Sequence, residues 1–262
     1  MALEKSEAVV LKAFNWSESS RAVHFFTRRF GRISLMDRGG RAIKSRRGRI
    51  MPFAHLEITF YKSEKQTAGY LSDTEVLKMF EPEADGSLGR LAYGSAAFEL
   101  LNLLLPEEEP HEDLFQYLLL FLQKQSRADK RCLPALFLAF FLRMMSLLGY
   151  HPSLAFCAGC QKPIAPGVEE QALLQFSPER GGMVCAACQK PGEYYIGLSS
   201  EQHRLLLSLQ RASLDEAATV PMSFQEATYL TDALAAFLRY HSGLVSDIKS
   251  LEFLDKLRQS NL

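Results

Sequence analysis

The sequence predicts an α+β protein in which a small β-barrel over residues 1–80 precedes a helical domain, 81–150 and 197–262, that is interrupted by a cysteine-bearing insertion, 151–196. Three observations predict it. Five short, β-branched, loosely alternating segments occupy the first 80 residues with no helical period among them. After Pro82 the apolar residues recur at spacings of three and four. From 151 to 196 Pro and Gly become dense, the period disappears, and two Cys-x-x-Cys pairs occur.

The five strand segments are "SEAVVLKAF" from Ser6, "AVHFFT" from Ala22, "RISLMD" from Arg32, "AHLEITFYK" from Ala54 and "GYLSDTEVL" from Gly69. Short turns such as "NWSESS" and "RRFG" separate them, with one long polar stretch from Arg38 to Arg49. A sheet this small needs closure to bury a core, which favours a barrel over a sandwich. The helices then follow in order. "SLGRLAYGSAAFELLNLLL" is periodic, and "EEEPHEDL" ends it and opens the next helix with Glu112 and Asp113 in the first turn. "LPALFLAFFLRMMSLLGY" is apolar on nearly every side, as the centre of a bundle must be. Beyond the insertion, Ser199 and Gln202 form a capping box before "EQHRLLLSLQ", and "SFQEATYLTDALAAFLRYHSG" completes the helical pattern.

A length of 262 residues exceeds one typical domain, and a 47% hydrophobic content suffices for two or three cores. The richest apolar run, Leu133 to Tyr150, is broken by Arg143 and Ser146 and is not expected to cross a bilayer. "MALEKSEAVV" places charges where a secretory signal needs its apolar core, so a cytoplasmic chain with reduced thiols is expected. Lys plus Arg and Asp plus Glu each total 30, but residues 1–80 hold 15 cations against 8 acids and the remainder 15 against 22. Neutrality is an average over a basic front and an acidic rear, an asymmetry that points to nucleic acid.

Cys157 and Cys160 form one Cys-x-x-Cys pair, Cys185 and Cys188 the other, with 24 residues between them. Two such turns bring four thiolates to one tetrahedral ion and leave no open coordination position, which is the pattern of a structural zinc site. A disulfide framework suits another compartment, a redox pair needs one motif between strand and helix, and iron–sulfur clusters usually bring other spacings. A degenerate cluster that binds no metal is the remaining alternative. Cys132, at the start of the apolar helix, reads as a small buried hydrophobe.

"RRFGRISLMDRGGRAIKSRRGR" places Arg28, Arg29, Arg32, Arg38, Arg41, Lys44, Arg46, Arg47 and Arg49 against one acid, Asp37. Nine cations in 22 residues attract phosphates and release counterions on binding, and Gly39, Gly40 and Gly48 let the backbone follow a strand. A solvated loop is the plain alternative. Aromatic residues, Trp16 foremost because it adjoins a polar turn, could stack on bases. No Gly-rich phosphate loop, His-Glu-x-x-His or Gly-x-Ser-x-Gly elbow occurs, the six histidines stand in unrelated contexts, and Glu107, Glu108 and Glu109 read as a solvated interhelical loop. The expectation is a protein that is not an enzyme.

The order of barrel, helices and inserted cysteine pairs, with the residues that carry it, resembles the RecO family of bacterial recombination mediators and DNA repair proteins. "EAVVLKAFNWSESSRAVHFFTRRFGRISLMDRGGRAIKSRRG" is similar to the family's opening, "MPFAHLEITFYKSE" to the closing strands of its OB-fold, "LLGYHPSLAFCAGC" and "FSPERGGMVCAAC" to the approaches to its cysteine pairs, and "LRYHSGLVSDIKSLEFL" to its C-terminal segment. Where family members commonly read Ala-Lys-Gly, this chain reads Asp37-Arg38-Gly39, which brings a negative charge toward the loop. The resemblance implies an OB-fold for the barrel and a nucleoid-associated mediator that binds single- and double-stranded DNA and anneals complementary strands. It implies work with RecR, often alongside RecF, to load a RecA-type recombinase onto DNA covered by single-strand binding protein, whose acidic C-terminal tail some members bind. A protein-interaction scaffold that takes acidic peptide tails on its basic surface is the competing reading.

Overall fold

The computed structural model describes residues 2–40, 50, 52–62, 69–80, 87–164, 173–243, 248–250 and 252–253. By packing, the chain falls into two compact units, residues 1–127 and 128–262. The boundary expected at residue 80 is where strand gives way to helix; the first unit continues through two helices beyond it.

In the first unit β1 (Ala2–Asn15), β2 (Arg21–Thr27), β3 (Gly31–Asp37), β4 (Ala54–Lys62) and β5 (Gly69–Met79) form a closed barrel in the order β1-β2-β3-β5-β4. All pairings are antiparallel except β3 with β5, which meet in parallel at Leu35 with Gly69 and Met36 with Tyr70. This is the five-stranded Greek-key closure of an OB-fold. Strand β1 serves both neighbours, pairing with β4 through Ala2–Val9 and with β2 through Ala8–Asn15, and bends at an irregularity between Val10 and Lys12. Alternate residues point inward, so Val23, Phe25, Ile33, Leu35, Leu56, Ile58, Phe60 and Leu71 fill the interior. The tight core follows from the bulk of those side chains, each of which removes most of its apolar surface from water.

Helices α1 (Ser87–Leu104) and α2 (Glu112–Gln125) belong to the same unit. Phe115 of α2 meets Phe26 edge to face at 5.4 Å, and the His24 ring lies 2.8 Å from the Asn102 carboxamide of α1. The segment between the helices does more than the expected solvated loop. Arg32 and Glu107 form a parallel bridge, and the Glu108 N–H donates to the Arg32 carbonyl at 2.9 Å, so the acidic stretch covers part of an edge of β3. Gly31, at φ +64°, makes this approach feasible: a Cβ there would lie 2.0 Å from the Glu109 carbonyl oxygen.

The second unit is built around α3 (Leu133–Leu147), of which only Arg143, Ser146 and Leu147 are not buried. It packs against α4 (Ser200–Arg211), α5 (Leu214–Ala217) and α6 (Phe224–Ser242). The capping box expected at Ser199 and Gln202 starts α4, and Cys132 is buried as expected. Between α3 and α4 lies a three-stranded sheet, order β7-β6-β8, made of β6 (Leu174–Ser177), β7 (Gly182–Val184) and β8 (Ile196–Leu198). Sequence reading finds neither these strands nor α5, because three or four residues are too few to show a period. Among the described residues no helix is long and apolar enough to cross a membrane.

Candidate functional site

The insertion is anchored to the helices by side chains that reach backbone oxygens. His203 of α4 lies 2.8 Å from the Leu154 carbonyl, His241 of α6 lies 2.9 Å from that of Pro178, and the Tyr229 hydroxyl donates to that of Gly197 at 2.6 Å. On this base two turns are formed. In the first, the Cys157 N–H donates to the Lys162 carbonyl and the Gln161 N–H to that of Cys157, at 2.8 and 2.9 Å. In the second, β7 runs into Cys185, whose carbonyl accepts from the Cys188 N–H at 2.9 Å and so closes a single 3-10 turn. The Ala158 N–H donates to the Met183 carbonyl at 2.8 Å, tying the first turn to the strand that leads into the second.

The result brings Cys157, Cys160, Cys185 and Cys188 together, with all four sulfurs within 4.8 Å of one another. A tetrahedral ion with bonds of about 2.3 Å sets its sulfur ligands about 3.8 Å apart. The Cys160 and Cys185 sulfurs are 3.7 Å apart. The donor set and spacing therefore fit a closed four-thiolate site that could bind zinc.

The surroundings favour thiolate in an uneven way. Burial pushes the Cys157 thiol up, but backbone N–H groups of Cys185, Cys160 and Gly159 outweigh burial and bring it down to about 6. Hydrogen bonds with the Cys185 and Cys160 sulfurs, together with burial, push Cys188 up to about 12. Cys188 thus does not ionise readily by itself, and a bound cation would supply what it needs. Gly159 is part of the fit, since a Cβ there would lie 3.2 Å from the Cys188 sulfur.

Sequence reading missed the buttress around this cluster. Arg180, on the β6–β7 turn, donates through Nη1 to the Cys188 carbonyl and through Nη2 to Glu193, both at 2.8 Å. The Tyr195 hydroxyl donates to Glu193 at 2.6 Å and accepts from the Lys190 N–H at 2.9 Å. No repeat in the sequence signals it: Arg180 and Glu193 stand 13 positions apart on either side of the second pair, and the turn brings them together.

The nine expected nucleic-acid contacts divide into three groups. Arg28 donates to Glu7 and Glu112, and Arg32 donates to the Leu105 carbonyl and pairs with Glu107. Carboxylates match both charges. Arg29 reaches the Lys5 carbonyl at 2.9 Å and stands 5.1 Å from the Phe30 ring centre, while Arg38 lies 4.0 Å from the Tyr70 ring centre. Arg41, Lys44, Arg46, Arg47 and Arg49 lie outside the described residues. Asp37 does not bring free negative charge into the loop: it is fully buried and accepts from Arg21 Nε at 2.8 Å. Trp16 is 69% exposed on the β1–β2 turn, whose following strand sets Arg21 opposite Asp37. The turn bearing Trp16 and the segment that begins at Arg38 thus leave neighbouring strands close together.

Comparison with known proteins covers the chain from end to end. Residues 1–80 match the family described as Recombination protein O N terminal, and residues 86–252 match Recombination protein O C terminal. The DNA repair protein RecO of Symbiobacterium thermophilum is 30% identical over 261 residues, 99% of this chain and 100% of that protein. RecO of Anaeromyxobacter sp. strain K is 31% identical, covering 97% of this chain and 96% of its own length, and RecO of Pelotomaculum thermopropionicum is 30% identical, covering 99% and 96%. With an OB-type barrel in front and a four-cysteine cluster behind, this chain belongs to the RecO family, whose role is DNA repair and recombination.

Proposed function

We propose that this chain is a recombination mediator without catalytic chemistry of its own. It binds single- and double-stranded DNA, anneals complementary strands, and with RecR, often alongside RecF, helps a RecA-type recombinase onto DNA covered by single-strand binding protein, whose C-terminal tail it contacts. It works in the bacterial cytoplasm at the nucleoid. The cysteine cluster holds one structural zinc ion through Cys157, Cys160, Cys185 and Cys188. The functional division is a DNA-binding barrel over 1–80, helices over 81–150 and 197–262, and the zinc insertion over 151–196.

The observation that carries this reading is an OB-type barrel whose third strand leads directly into a run of cations. Cations that face solvent on such a barrel hold phosphates of two strands and screen their repulsion; base pairing then supplies the free energy of annealing. Arg29, Arg38 and the cations from Arg41 to Arg49 are the contacts proposed for phosphate, with Arg28 and Arg32 contributing less because carboxylates already hold them.

The test is annealing of complementary oligonucleotides coated with single-strand binding protein, comparing wild type with the triple variant Arg46→Ala, Arg47→Ala, Arg49→Ala. Wild type accelerates annealing and the variant does not. The salt dependence of DNA binding becomes shallower by about one unit of slope per lost phosphate contact. Equal acceleration by both proteins removes these three arginines from the mechanism, and no acceleration by either defeats the mediator reading.

A further inference from the structure

The barrel exterior carries an apolar row that its core does not account for. Along β4, Phe60 points into the barrel and Tyr61 out; along β5, Leu71 points in and Tyr70 out; along β3, Leu35 points in and Met36 out. Register places these outward residues side by side. Leu3 is opposite Tyr61, Tyr61 opposite Tyr70, and Tyr70 opposite Met36, so one row crosses β1, β4, β5 and β3. Leu3 is 58% exposed and Tyr61 41%. Directly opposed residues have Cβ atoms about 5 Å apart, so the register sets the two tyrosines side by side on the barrel exterior.

We propose that Tyr61 and Tyr70 form a stacking platform for the unpaired bases of single-stranded DNA, with Leu3 and Met36 as its apolar margins. This rests on the DNA-binding reading above and adds the site that tells single from double strands. Charge selects the occupant. The Arg38 guanidinium already stacks on the Tyr70 ring at 4.0 Å, two residues beyond Met36, and it begins the cationic run through Arg41, Lys44, Arg46, Arg47 and Arg49. A cation laid against a ring offers a nucleotide both of the contacts it uses, a charge for phosphate and a planar face for the base. Tyrosine suits a wet exterior row, since its ring packs while its hydroxyl stays in water. Bases of a duplex are stacked on each other and cannot splay onto the rings, whereas those of a single strand can.

The experiment measures binding of a thymidine 30-mer, an abasic 30-mer and a duplex of equal length across a salt series, for wild type and for Tyr61→Ala, Tyr70→Ala, Tyr61→Phe and Tyr70→Phe. Each alanine variant is expected to bind the thymidine strand roughly tenfold more weakly, with duplex affinity and salt slope unchanged. The phenylalanine variants retain wild-type binding. Wild type binds the abasic strand at least as weakly as either alanine variant binds thymidine, a readout that needs no substitution. If wild type binds both DNAs with a steep salt slope but the alanine variants and the abasic strand show no loss, the platform is wrong and DNA binding stands. A parallel loss of duplex affinity also overturns it, as does an interaction with a partner protein that the alanine variants lose while DNA binding persists. If wild type binds no DNA at all, both readings fall.

Discussion

Strand β4 buries Ala54, Leu56, Ile58 and Phe60 at alternate positions in a closed barrel, whereas the cysteine module draws on Leu154 and on Phe176, Met183, Val184 and Leu198 of three strands of three or four residues. One region covers its backbone with long, mutually paired strands around large side chains. The other has short strands, two turns and four sulfurs. The difference points to where each region would draw its free energy: burial of apolar surface in the barrel, and, if the quartet holds the zinc proposed above, bonds to that ion in the module.

The largest effect should therefore come from the metal. Removing zinc with a chelator, or replacing Cys157 by Ser, should cost the second unit roughly 5 kcal/mol or more, since ion binding there is folding free energy. Hydrogen exchange should report the loss in peptides covering residues 174–198 while peptides from β4 keep their protection. Equal loss in both regions would break the comparison, and unchanged metal content in Cys157→Ser would remove the structural site. The converse change is Phe25→Ala, which opens a cavity in the barrel and should cost about 3–5 kcal/mol in denaturant unfolding of the first unit. The protein should still carry one zinc ion per chain by metal analysis.

What was legible in the sequence follows the same division. The barrel strands were readable because β3 and β4 alternate over seven residues and the five segments are rich in β-branched residues between turns, and the cysteine quartet because each pair is local. Strand β1 extends four residues before its expected start, since Ala2, Leu3 and Lys5 are exposed and carry no alternating signal. The cationic run was countable but its pairings were not: Arg28 meets Glu112 across 84 positions, a distance that no window of sequence spans. Asp37 likewise looked like a charge in a loop, and only the register that sets it opposite Arg21 shows it to be interior. The Tyr61 and Tyr70 row was hidden for the same reason, being a product of strand order.

A smaller prediction concerns the base on which the module is mounted. The Ser199 hydroxyl accepts from the Gln202 N–H at 3.1 Å, and the Gln202 side chain accepts from the Ser199 N–H at 3.0 Å. Ser199→Ala leaves an orphan donor at the start of α4 and should cost about 1 kcal/mol. Because α4 also supplies His203 to the Leu154 carbonyl, exchange should rise first at the start of α4 and around Leu154, where the insertion begins. A loss confined to the barrel would contradict the assignment of α4 to the second unit.

The smallest expected effect tests whether the barrel is purely an apolar device. At its rim Glu7 accepts from Arg28 and lies 2.8 Å from the His55 ring, beside Phe115. Burial lowers the His55 pKa, and although Glu7 acts in the opposite direction the net shift is downward. The unfolded chain, with an ordinary histidine near 6.5, then binds more protons than the folded one. Stability from this group is full above that value and falls as pH drops through it toward the lower folded value. Exchange of barrel peptides between pH 7.5 and 5, corrected for intrinsic rates, should show this loss in wild type and not in His55→Gln. The barrel readout is needed because acid also protonates Cys157 in the other unit. If acidification instead strengthens the wild-type barrel relative to the variant, the ion pair with Glu7 governs His55, and the rim draws part of its stability from charge.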